Sequence, residues 1–365
     1  MKKSLIALAA LAASSAFAQS SVTLYGVVDL GVSHGAGKGT GSTSITQMTS
    51  GNIASSRLGV KGVEDLGGGL SAKFVFEGDV KPNSGIGATS GAASVNASTN
   101  NLSAASTTGG FTFNRQATVG VAGGFGEVRL GRDYTPTFYV DATYDPFGVN
   151  GVGTNAIFGN GLGSSVNHLR ASNAVSYFLP GNLGGFSGQV MYAYNNVATT
   201  GAATQNDGKY TGGNIGYANG PLSVHVATGK FTLSTAGDVK TDSLGAAYDL
   251  GVVKLSTEYS TDKKGALALN NKATGTLFGL TAPMGQGALR ASIVSRKVTQ
   301  DGQTAENKLN QTSIGYVHNL SPRTAVYGTF SSISNKGLSA VGANGAVTAA
   351  GRNASGYDLG IKHSF

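Results

Sequence analysis

From Ser21 onward the chain repeats one pattern, in which every second side chain is apolar along runs closed by turn-forming residues. In the first run Val22, Leu24, Val28, Leu30 and Val32 alternate with Ser21, Thr23, Asp29 and Ser33. Phe74 and Phe76 stand opposite Lys73, Glu77 and Asp79 in another. Further on, Val190, Tyr192 and Tyr194 face away from Ser187, Gln189 and Asn195, and Leu255 and Tyr259 from Lys254, Ser256 and Glu258. A period of two is that of a β-strand with one greasy and one wet face, and no helix can satisfy it. The expected class is all-β.

Sixteen such runs are read, near 21–33, 52–63, 69–80, 110–122, 124–133, 169–180, 185–196, 209–219, 221–232, 241–250, 251–261, 272–283, 286–298, 309–319, 323–334 and 354–365. Most match the ~9–11 residues that a tilted strand needs to cross a bilayer. Connections alternate between short ones, such as Asn219-Gly220, and long ones such as 81–109, 134–168 and 335–353. Short turns at one rim and long loops at the other belong to transmembrane barrels, and closure leaves no unpaired edge in lipid. The pattern predicts a 16-stranded antiparallel transmembrane β-barrel. No apolar run is long enough for a membrane helix, but a barrel spreads its apolar surface over alternate residues.

Composition agrees and narrows the function. Glycine, at 57 of 365 residues, disfavours helices and suits tight turns, and the absence of cysteine removes disulfides and thiolate metal sites. Lys2 and Lys3, an apolar Leu5–Leu11 stretch and Ala16-Phe17-Ala18 form an export signal over 1–18, which leaves 19–365 as one barrel domain. The formal charge of +8 is dispersed, without the basic runs that track a phosphate backbone, so no nucleic-acid partner is expected. Gly35-Ala36-Gly37-Lys38-Gly39-Thr40 lacks P-loop spacing and reads as a turn. His34, His168, His225, His318 and His363 are scattered, which gives neither a ligand-spaced pair nor a catalytic base with a partner. No enzyme activity, cofactor or metal is expected.

The order of several motifs resembles the trimeric general-diffusion porins of Gram-negative outer membranes, in the β-proteobacterial branch that includes the neisserial porins. The motifs are SSVTLYGVVDLGV (Ser20–Val32), SRLGVKGVEDLGGGLSAKFVFE (Ser56–Glu77), FGEVRLGRDYTP (Phe125–Pro136), DPFG (Asp145–Gly148), RASNAVSYFLP (Arg170–Pro180) and the closing GYDLGIKHSF. The resemblance implies a homotrimer in the cell outer membrane among its lipids. It also implies passive passage of small hydrophilic solutes and ions, and a third loop, here 134–168, folded into the lumen as a constriction. The competing reading is a surface-binding or adhesin barrel without significant conductance.

The resemblance also implies roles for single residues. Arg57 and Lys61 share the wet face of the second strand, and Arg57 matches a constriction arginine of the family, as does Arg170 at the start of the sixth strand. Alternation alone would point Arg115 outward with Ala117, Val119 and Val121. An arginine facing lipid at mid-membrane costs ~2–4 kcal/mol, so a lumen position or a subunit contact is expected, and the family motif favours the lumen, at the constriction. Asp141 and Asp145 on the loop are the expected opposing charges, although Asp145-Pro146 could simply start a turn. Arg132 is expected to anchor the loop or to meet a subunit. Phe365 shares one face with Tyr357, Leu359, Ile361 and His363, and in the family such an aromatic is read by the barrel-assembly machinery. Permanently charged arginines and a net positive balance predict a preference for anions.

Overall fold

Eighteen strand segments follow the chain: β1 (Ser21–Gly37), β2 (Ser44–Ser50), β3 (Arg57–Gly67), β4 (Leu70–Lys81), β5 (Ile86–Gly87), β6 (Gln116–Gly123), β7 (Gly126–Tyr134), β8 (Arg170–Phe178), β9 (Phe186–Ala193), β10 (Tyr210–Asn219), β11 (Leu222–Phe231), β12 (Val239–Asp249), β13 (Lys254–Gly265), β14 (Asn270–Met284), β15 (Gly287–Gln300), β16 (Asn307–Asn319), β17 (Thr324–Lys336) and β18 (Ala354–Ser364). Among the described residues one α-helix, α1 (Pro136–Tyr144), lies between β7 and β8. This is a computed structural model, and it describes residues 20–87, 111–157, 168–195, 203–234, 237–265, 270–304 and 306–365. The export signal expected over 1–18 and most of the low-complexity stretch 84–109 fall outside the described residues.

All pairings are antiparallel, and β1 meets β18 from Val27↔Ser364 to Gly37↔Ala354, which closes the ring. β2 and β3 are two halves of one stave, since both pair with β1, and β5 is a two-residue appendage on β4. The barrel therefore has sixteen staves. Its faces follow the parity read from the sequence. Val22, Leu24, Val119, Val190, Phe278, Ile293 and Leu359 are exposed, while Asp29, Ser33, Glu77, Ser260, Ser292, Ser331 and Asp358 are buried. An apolar outer band around a polar interior is the inverse of a soluble protein and suits lipid outside.

Three local differences from the expected pattern have physical causes. The second stave begins at Ser44 rather than near 52 and is interrupted at 51–56. There the Asp29 carboxylate accepts the N–H groups of Ile53 and Ala54, both at 2.8 Å, and Ser56 Oγ bonds the main chain of Asp29, so side chains replace the ladder. The strand expected from 110 begins only at Gln116, because Asn114 Oδ1 takes the Asp79 N–H at 3.0 Å. The third long connection carries α1, whose first turn is capped by Thr135 with Pro136 as the first helical residue.

Candidate pore constriction

The hairpin of β3 and β4 sets the first part of the site. Its tight turn pairs Gly67 with Leu70, and the register then brings Arg57 opposite Asp79 and Gly59 opposite Glu77. Arg57 Nε reaches Glu77 Oε2 at 3.3 Å. Arg115 arrives from the bend before β6 and donates from Nε to Glu77 Oε1 at 2.6 Å and from Nη1 to Asp79 Oδ1 at 2.9 Å. The alternation of β6 does not govern Arg115, because the residue precedes the strand. Tyr25 of β1 donates its hydroxyl to Glu77 Oε2 at 3.0 Å.

Tyr134, the last residue of β7, joins the third arginine to this group. Its hydroxyl accepts from Arg115 Nη2 at 2.9 Å and from Arg170 Nη2 at 2.8 Å, and the Arg170 guanidinium lies 4.3 Å from its ring centre. Arg57, Arg115, Arg170 and Lys81 line one open cavity of about 620 Å³, with Asp79 on the same wall and Ser55, Phe138, Tyr139, Val149 and Asn150 opposite or beside them. Basic side chains outnumber carboxylates there, and guanidinium groups stay charged throughout the accessible pH range.

The other expected residues lie elsewhere. Lys61 shares the wet face of β3 but is exposed beside the Tyr25 ring, 5.3 Å from its centre, and does not line the cavity. Arg132 donates to the Asn114 carbonyl at 2.6 Å and to Ser172 Oγ at 2.7 Å, contacts that tie the approach to β6 onto β8. The carboxylates that face the arginines are Glu77 and Asp79 of the wall rather than Asp141 and Asp145 of the loop.

Asp141 and Asp145 are buried and hold the loop instead. Asp141 is hydrogen-bonded to His168 Nε2. Burial pushes the Asp141 carboxyl up and the His168 imidazole down, each toward its neutral form. Asp145 accepts the N–H groups of Phe147 at 2.9 Å, Val149 at 3.0 Å and Asn155 at 3.0 Å. The turn reading of Asp145-Pro146 thus describes part of its role.

The rest of the segment is tied to wet-parity side chains around the ring. Tyr144 Oη meets Ser223 Oγ at 2.9 Å and His225 Nδ1 at 2.7 Å, Asn155 donates to Glu258 at 3.0 Å, and the Val152 N–H reaches Asp358 at 2.6 Å. Gln311 accepts from the Ala156 N–H at 3.1 Å and donates to the Thr154 carbonyl at 3.0 Å. Two glycines make room: a Cβ at Gly245 would lie 2.0 Å from the Tyr144 ring, and one at Gly275 2.5 Å from Ile157.

Burial raises the Asp145 carboxyl to about 6, despite the three N–H groups that favour its charge. A carboxyl raised above its unfolded value of ~3.9 stabilises the docked segment below that value, and the contribution is lost as pH rises through about 6. His168, held low by burial, acts in the opposite sense as pH falls. Hydrogen exchange at the amides of Phe147, Val149 and Asn155, corrected for intrinsic rate, is expected to lose up to ~100-fold of protection between pH 4 and 7. Asp145→Asn should remove that slope; a slope retained in the variant assigns it to another group.

The sequence family described as Gram-negative porin matches residues 4–338. The chain belongs to that family. It is 39% identical to outer membrane porin protein 32 of Delftia acidovorans, with all of both chains covered. It is also 30% identical to an outer membrane porin protein of Bordetella pertussis, over 90% of this chain and 93% of that one. The solved anion-selective porin from Comamonas acidovorans superposes with a TM-score of 0.80 at 36% identity, covering 95% of this chain and 100% of its own. OmpF of Salmonella typhi, at 14% identity and a TM-score of 0.60, shares the fold. This porin resides in the cell outer membrane.

Sequence reasoning passed over Glu77, Asp79, Tyr25 and Tyr134 as site residues. The first two were legible as wet-face residues, but counting back from the turn at Gly67 would set Arg57 opposite Val80, and only the register shift between Asp65 and Gly67 brings Asp79 beside it. Tyr134 had no signal in spacing, because its role depends on where Arg115 and Arg170 converge.

Proposed function

We propose that this porin is a general-diffusion channel that prefers anions, and that the segment from Pro136 to Ile157 narrows its bore at the arginine group. The convergence of Arg57, Arg115 and Arg170 on one cavity carries this reading. Fixed cationic groups in a narrow, partly desolvated passage admit anions and repel cations. The contacts of the segment with inward-facing side chains support its placement in the lumen. The similarity to a porin described as anion-selective points the same way.

The proposal includes passage of small hydrophilic solutes and ions without enzymatic turnover, removal of residues 1–18, and assembly as a homotrimer. Phe365 is 49% exposed on the outer face with Tyr357, Leu359 and Ile361, where the assembly machinery could read it. Zero-current potentials under a KCl gradient in planar bilayers test the central claim, and the expected sign is that of chloride preference. A clear cation preference would overturn the selectivity. Folded protein with no conductance would leave the surface-binding barrel instead.

A further inference from the structure

The segment that borders the arginine group has a second cavity on its far stretch. Gly148, Val149 and Asn150 line the first cavity, whereas Gly151, Val152 and Thr154–Ala156 line another of about 350 Å³, closed by Gln311, Ile333 and the loop after β17 at Val341–Asn344. A smaller cavity of about 260 Å³ shares Arg296 and Val341 with it and runs between β15, β16 and that loop.

Arg296 of β15 is 7% exposed. Its Nη1 donates to the Ala156 carbonyl at 2.8 Å, but its buried Nε has no protein acceptor. Among the described residues no carboxylate lies within ion-pair distance of it. Asp262 acts on it only from a distance and is engaged by Thr241 Oγ1 at 2.5 Å. A buried guanidinium with an unused donor favours an anion that can accept from it. One side of the surrounding wall is apolar: Val152, Leu309, Ile333 and Ala343 belong to one buried cluster with Ala156 and Val341 packed on it, while Asn155, Gln311 and Asn344 supply polar groups beside it.

We propose that Arg296 holds the carboxylate of a small organic acid whose apolar body rests on Val152, Ile333 and Val341, a second anion site separate from the constriction arginines. Its value to transport rests on the channel reading, since it would receive such acids on the long-loop side before they reach Arg57. Binding itself does not depend on conduction.

Calorimetric titration of the folded, detergent-solubilised protein with hexanoate and with acetate decides the matter. Hexanoate should bind more tightly than acetate, and Arg296→Gln should weaken hexanoate binding about tenfold, the order of one charge-assisted hydrogen bond. Arg296→Lys should retain most of it. Val341→Asp, a loop substitution that places a carboxylate beside the guanidinium, should abolish it whether or not Arg296→Gln folds. Hexanoate binding unchanged in Arg296→Gln or Val341→Asp overturns the site. So does binding lost in Arg57→Gln but kept in Arg296→Gln, which moves the anion to the arginine group. Equal affinity for acetate and hexanoate overturns the apolar seat. A protein that binds hexanoate but does not conduct refutes the channel reading alone.

Discussion

Replacing Arg57 and Arg170 together with glutamine is expected to abolish the anion preference of the channel and to carry the zero-current potential to or past zero. Both side chains line the cavity with Lys81, and without them the Glu77 and Asp79 carboxylates are countered mainly by Arg115. The fixed charge around that cavity then falls close to neutrality, and neutral passages do not sort ions by sign. Arg57→Gln alone should give an intermediate potential, because Arg57 makes only a 3.3 Å contact with Glu77 and a 3.0 Å bond to the Ser55 carbonyl, and contributes mostly its field. Arg115 is the wrong residue for this test. Its removal would take the shortest ion pair from buried Glu77 and the arginine from half-buried Asp79, and would confound selectivity with folding. An unchanged potential in the double variant would show that the arginines do not set the preference.

Asp358→Ala is expected to release the loop and give larger, noisier single-channel steps. The carboxylate of this buried residue accepts from Ser33 Oγ at 2.6 Å, the Val152 N–H at 2.6 Å and Asn344 Nδ2 at 2.8 Å. It therefore joins the first stave, the Pro136–Ile157 segment and the loop after β17 at one point on the last stave. Charged acceptors of this kind are worth ~1.5–3 kcal/mol each, so losing all three should exceed what the remaining contacts of Val152 can hold. Single-channel recording with hydrogen exchange at 151–156 reads both consequences. Steps of unchanged size together with unchanged exchange would show that the anchor is dispensable. Asp358→Asn keeps one acceptor oxygen and should fall between.

The barrel was legible because period-two alternation is a local property that each stave must satisfy by itself. Val22 and Asp29 announce their faces without reference to any distant residue. The constriction was half legible. Arg57 could be placed from parity and resemblance, but its pairing with Asp79 depends on the register shift between Asp65 and Gly67, and the position of Arg115 on where the ladder of β6 gives way. Asp141 and Asp145 show the limit most plainly. Their place on the loop suggested charges turned toward the arginines, yet their oxygens are taken up by His168 and by three amides of their own segment. A carboxylate on a loop can face the passage or stitch the loop together, and sequence spacing does not separate the two. Helix α1 was missed although Thr135-Pro136 is a good helix start, because the glycine-rich composition argued against helices in general.

The strict alternation of faces means that one chain carries two interleaved texts. Residues of one parity answer to lipid, and those of the other answer to the solutes and to the loop. Phe278 and Gly279, neighbours in β14, illustrate the separation: the first stands 63% exposed on the outer band, and the second gives Pro146 its place within. A substitution at one such position leaves the other text unread. Anchorage and selectivity can therefore drift apart in descent, so that a relative keeps its hold on the membrane while it changes what it lets through.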